Sequence, residues 1–202
     1  MDEYNYISFG PDCYPAFVLR DLGLRRYALP FDWMVSSIDN IIDCINDDFL
    51  FFHKNLYLVS NNTRLMDKYG FLYVHDYPTE NEKRNYIDDD STVFYSENYI
   101  VANWMDYNDE VIQKYKRRID RFIEIANSDK PLFVLYKGDI NDASKIKDMF
   151  YNKFKKTNII YIVCSEQTSN SNDVISCEPG VSDLSSEILN AINIGKTNKK
   201  CL

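Results

Sequence analysis

The 202-residue chain is 45% hydrophobic and 27% charged, ordinary values for a globular protein, and carries a formal charge of -8. That acidity argues against nucleic acid as a partner, since binding to phosphate backbones is driven by Lys and Arg displacing counterions. No run approaches the roughly 18 apolar residues that a membrane span needs.

The acidic start Met1-Asp2-Glu3 lacks the basic and apolar regions of a secretory signal, so a cytoplasmic protein is expected. Cys13, Cys44, Cys164, Cys177 and Cys201 are scattered, with no CxxC pair. Neither a disulfide framework nor a zinc site is expected.

Tyr4 to Phe9 alternates and is rich in β-formers, so it reads as a strand ending at Gly10-Pro11. A helix follows, with Asp12 as N-cap, Pro15 in its first turn and Gly23 just past its end. Cys13 then falls at about the first helical position. Tyr27 to Trp33 reads as a short extended segment, because the residue before Pro30 is pushed away from helical geometry. Ser37 caps a second helix, whose Ile38, Ile41, Ile42, Ile45 and Phe49 keep helical spacing.

Residues 51–103 are less regular. Tyr69 to Val74 and Thr92 to Phe94 look like strands, and Pro78 to Asp90 like a charged loop. Asn108 can cap a long helix with Val111, Tyr115, Ile119 and Phe122 on one face and a basic opposite face, read as solvated.

Two nearly continuous apolar strands, Pro131 to Tyr136 and Ile159 to Cys164, then flank a helix marked by Ala143, Ile146, Met149 and Phe150. This is a βαβ unit of a parallel sheet covered on both faces. Val174 to Cys177 can add a strand, and Leu184 to Ile192 a closing helix. The expected fold is a single α/β domain over 1–194, three-layered with a mostly parallel central sheet and a less regular middle insertion. A flexible basic tail, 195–202, completes it.

Cys13 is the candidate nucleophile. A thiol at a helix N-terminus feels the positive end of the dipole and unpaired N–H groups, which favour thiolate and can receive an oxyanion. Asp12 beside it acts in the opposite sense.

A nucleophilic Cys needs an imidazole. His75 follows an apolar strand, where open α/β sheets carry functional side chains. His53, among aromatic residues, reads as structural. Asp76 or Asp32 would orient His75. Arg25 and Arg26 suit a carboxylate or phosphate, and Trp33 is a further candidate contact that also fits a core anchor. A phosphatase loop would need five residues between Cys and Arg, but six separate Cys13 from Arg20. No metal or phosphate-loop motif is present, and no cofactor is expected.

The segment Ile7-Ser8-Phe9-Gly10-Pro11-Asp12-Cys13, then Leu22-Gly23-Leu24-Arg25 and Pro30-Phe31-Asp32-Trp33, resembles the N-terminal signature of a domain-of-unknown-function family of papain-like cysteine peptidases. Its members occur in bacteria and large DNA viruses, including poxviruses. His75-Asp76 and Lys114 to Phe122 match in character, and the similarity spans about Tyr4 to Tyr136.

The resemblance implies a cysteine-dependent hydrolase with Cys13 as nucleophile, His75 as base and an acid as orienter. It also implies a peptide or small acyl substrate. For a viral member, the alternative is a catalytically inactive binding or immune-modulating protein that meets a host protein in the host cytoplasm. A papain-like α+β barrel is the fold the name implies. The parallel βαβ pattern points instead to a Rossmann-like or SGNH-like sheet. A third reading is an anion-binding or transferase domain using Arg25, Arg26 and the basic helix.

Overall fold

A computed structural model describes residues 3–80, 99–165, 173–177 and 184–200. The chain forms a four-stranded parallel sheet and a separate antiparallel one, with helices around them. In the parallel sheet the spatial order is β1 (Asn5–Phe9), β6 (Leu132–Lys137), β7 (Ile159–Cys164) and β8 (Val174–Cys177). Ile7 pairs with Val134, Leu135 with Ile162, and Cys164 with Cys177.

Successive strand residues face opposite ways, so the continuous apolar runs feed two cores. Leu132, Val134, Tyr136, Tyr161 and Val163 join Phe122 of α3 (Asn108–Asn127) and Ile146 and Phe150 of α4 (Asp142–Phe154). Phe133, Leu135, Ile160 and Ile162 meet Val18 and Leu19 of α1 (Tyr14–Asp21) and Ile188 and Ile192 of α5 (Leu184–Lys200). Each such side chain contributes about 1.5–3 kcal/mol of burial.

α5 continues to Lys200, past Gly195, where the sequence suggested a frayed tail. Gly195 lies against the sheet so closely that a Cβ there would come within 2.9 Å of Phe133 and 3.1 Å of Ile160.

The middle of the chain is the antiparallel sheet, in the order β2 (Met34–Val35), β5 (Leu72–Tyr73), β4 (Arg64–Met66) and β3 (Tyr57–Val59). The β3–β4 hairpin turns through Ser60, Asn61 and Asn62, all with positive φ, a conformation Asn tolerates well. The turn into β5 is organised by buried Asp67. Its carboxylate accepts the N–H groups of Tyr69, Phe71 and His53 and the Tyr73 hydroxyl at 2.6 Å. The expected strand at Thr92 to Phe94 lies outside the described residues.

α2 (Ile38–Asn46) is capped by Ser37, whose Oγ accepts the Asn40 N–H at 3.1 Å. Two local expectations change. Pro30 to Trp33 is a turn rather than an extended segment, because the Asp32 carboxylate draws in the Leu29 N–H at 2.7 Å. The α3 basic face is divided: Lys116 and Arg117 are exposed, but Lys114 and Arg118 are buried.

Candidate active site at the first strand–helix junction

β1 delivers the chain to Gly10, whose carbonyl accepts the Ser36 hydroxyl at 2.7 Å, and α1 begins at Tyr14. Cys13 is the N-cap residue of that helix, one position before the expected place. Asp12 stands beside it as a side-chain cap. Its Oδ1 accepts the Tyr14 N–H at 2.9 Å and its Oδ2 pairs with Lys137 at 2.6 Å.

The Cys13 residue is 7% exposed, packed with Ala16, Ala28 and Trp33 and flanked by Phe17. Burial pushes its thiol up to about 12, and the negative charges of Asp12, Asp76 and Asp32 add to the effect. The helix N-terminus therefore does not yield a resting thiolate here, because desolvation and three carboxylates outweigh the dipole.

The Pro30-Phe31-Asp32-Trp33 block serves three separate purposes. Phe31 enters the core among Phe9, Phe49, Phe52, Phe71 and Phe122. Asp32 is buried and accepts Ser8 Oγ at 2.6 Å, Arg25 Nη1 at 2.9 Å and the Leu29 N–H. Trp33 is 2% exposed, with the Arg25 guanidinium 4.6 Å from its ring centroid, so it is an internal support and not a surface platform.

Asp76 is enclosed beneath the antiparallel sheet, where Lys114 reaches its Oδ1 at 2.5 Å and the Tyr115 hydroxyl its Oδ2 at 2.8 Å. Burial alone would raise its carboxyl, but Lys114 and Arg118 outweigh that and hold it at about 2. His75, its chain neighbour, is half-buried just past β5.

His53 is buried against the rings of Tyr73, Tyr77 and Tyr115, and burial lowers its imidazole to about 3. The structure thus brings Asp32 and Asp76 into the electrostatic surroundings of Cys13 while committing both carboxylates to other partners.

Lys114, Tyr115 and Arg118 are neighbours of the site, although by sequence the two cations fit a solvated face and Tyr115 the core. The signal was present in their spacing. Val111, Lys114, Tyr115, Arg118 and Phe122 follow an i, i+3, i+4, i+7, i+11 stripe, which turns two cations inward.

Arg25 and Arg26 line a cleft of about 190 Å³ beside the start of β1, together with Tyr27, Arg121 and Lys130. A second, of about 540 Å³, lies between Leu50–Leu56 and Trp104–Ile112. Cys13 lines neither. No helix among the described residues is long and apolar enough to cross a membrane.

An α/β protein with a cysteine at its first strand–helix junction is the class these features define. The chain belongs to the family described as "Putative papain-like cysteine peptidase (DUF1796)", whose model matches residues 4–166. No curated protein and no solved structure matches the chain.

Proposed function

We propose that the chain is a cysteine-dependent hydrolase acting by acyl transfer, with Cys13 as nucleophile and His75 as general base, on a Rossmann-like or SGNH-like sheet. The observation that carries this is the address of Cys13. It stands just past the carboxyl end of β1, an edge strand of the parallel sheet, at the start of α1, in a chain of the family described as "Putative papain-like cysteine peptidase (DUF1796)". Helices on both faces of that sheet favour this architecture over a papain-like α+β barrel.

The protonated thiol dictates the form of the chemistry. With its pKa pushed up to about 12, Cys13 behaves more like a serine than like a preformed thiolate. Its proton must leave for His75 as sulfur bonds to the acyl carbon. The oxyanion then collapses, the leaving group takes the proton from His75, and water releases the acyl group from the thioester.

Oxyanion stabilisation by the first turn is weaker than the sequence suggested. The Tyr14 N–H is bound by Asp12, Pro15 has none, and the Phe17 N–H goes to the Cys13 carbonyl. Asp76 or Asp32 would orient His75 by exchanging a present partner, Lys114 or Tyr115 for Asp76 and Ser8 or Arg25 for Asp32. Arg26 is the cation that would receive an anionic group, whereas Arg25, its side chain buried in the ion pair with Asp32 and against Trp33, serves as a support of the loop.

Hydrolysis of p-nitrophenyl acetate tests the reading. Cys13→Ala abolishes turnover, and His75→Asn lowers it by about 10²–10⁴-fold. Turnover unchanged in Cys13→Ala overturns the proposal.

The burial of the sulfur favours a second reading, a binding or immune-modulating protein on an enzyme-like scaffold. Under that reading the wild type shows no turnover, and iodoacetamide labels Cys13 more slowly than free cysteine at every pH up to 9.

A further inference from the structure

We propose that Cys164 and Cys177 form a redox site, in which hydrogen peroxide joins the two thiols into a disulfide that clamps β8 to β7. The two residues are register partners at the last positions of these parallel strands, so their side chains share one face of the sheet. Neighbouring strands stand about 4.8 Å apart, inside the roughly 4.4–6.8 Å Cα separation that a disulfide spans. The Ser165 N–H donates to the Cys177 carbonyl at 3.0 Å, so the ladder runs past the pair and fixes its register.

The surroundings favour this pairing over any other. Both thiols are free, and both enter the core cluster that holds Ile162, Ile188 and Ala191. Cys44 and Cys13 belong to two other clusters. Among the described residues β8 pairs with β7 alone, is four residues long and is only half-buried at Val174, Ile175 and Ser176. A short edge strand of this kind opens locally at low cost and admits a small oxidant.

Cys177 reacts first. Burial pushes its thiol up to about 11, with Glu187 adding to the effect. Burial pushes the Cys164 thiol further, to about 12, with Cys177 adding and Lys137, its register partner on β6, opposing. The Cys177 thiolate attacks one peroxide oxygen, the O–O bond breaks, and the departing hydroxide takes a proton to become water. The Cys164 thiolate then displaces hydroxide from the sulfenic sulfur, which leaves as a second water. The two sulfurs lose two electrons and the peroxide gains them. The burial that slows the thiols also protects the product, because an uncharged disulfide is at home in an apolar core whereas the thiolates formed on reopening are not.

The test exposes the full chain to excess hydrogen peroxide overnight, unfolds it with iodoacetamide to block the remaining thiols, and maps its peptides by mass spectrometry. The wild type yields the peptides of Cys164 and Cys177 joined, lighter by two hydrogens than their sum and separated by dithiothreitol. Cys164→Ser and Cys177→Ser each abolish the joined species. The oxidised wild type also melts about 5–10 °C higher in the absence of dithiothreitol than in its presence. Sulfurs that stay unlinked, as thiols or as sulfinic acids, a link to Cys13, Cys44 or Cys201 instead, or an unchanged melting midpoint overturns the proposal.

Discussion

The parallel sheet and the antiparallel region are held together by different physics. β6 and β7 are buried almost throughout, and their two faces pack mainly on apolar neighbours, with Lys137 at the end of β6 pairing with Asp12. The antiparallel region surrounds buried polar groups instead: Asp67, His53 and Asp76, tied to Tyr73, Tyr77, Lys114 and Tyr115. Apolar packing is indifferent to pH, whereas a buried polar network depends on each member keeping its protonation state. One chain therefore contains a pH-insensitive frame and a pH-sensitive insert, and Cys13 lies where the two meet.

Removing one charge from the insert gives the largest expected effect. Asp76→Ala leaves Lys114 buried without its carboxylate and lowers stability by about 3–5 kcal/mol. Urea unfolding measures the loss. A change below 1 kcal/mol would show that Asp76 is not the anchor of the network.

Acidification comes next. The folded His53 titrates at about 3 against an ordinary 6.5, so the unfolded chain takes up the proton first. Its contribution, on the order of 5 kcal/mol, is complete above pH 6.5 and is lost as the pH falls toward 3. Asp76, lowered from 3.8 to about 2, acts in the same sense at lower pH: its contribution is present above 3.8 and lost toward 2. The groups facing His53 are Asp76, Lys114, Arg118 and the three tyrosines. Unfolding curves between pH 7 and 4 check this, and Leu135→Ala in the apolar frame should cost the same at both ends of that range.

The smallest expected effect is at a helix end. Ser37→Ala removes the acceptor for the Asn40 N–H and costs about 1 kcal/mol, visible as a shift in the urea midpoint. A shift as large as that of Asp76→Ala would mean that α2 belongs to the network rather than to its edge.

The frame was legible in the sequence, whereas of the insert the sequence announced little beyond β5, within the strand expected over Tyr69 to Val74, for one reason. β6, β7 and α2 advertise themselves through patterns local to a few residues: unbroken apolar runs, 3.6-residue spacing, a serine cap. The insert depends on partners far apart in the chain. Lys114 finds Asp76 across 38 residues and Tyr77 finds Asn108 across 31, and no local pattern announces either pairing. Asp32 shows the same limit at shorter range, since its hold on Leu29 converts the stretch after Pro30 into a turn. At the candidate site the sequence located Cys13 to within one position, but it could not reveal the three carboxylates that set the thiol's state.

The seat of Gly195 on Phe133 and Ile160 has a practical bearing. The family match stops at residue 166, yet α5 beyond it shares with α1 the covering of one side of the central strands. A fragment trimmed to the matched boundaries would emerge with an oily flank laid bare and would precipitate. Expression work on this protein should keep the last thirty-odd residues attached.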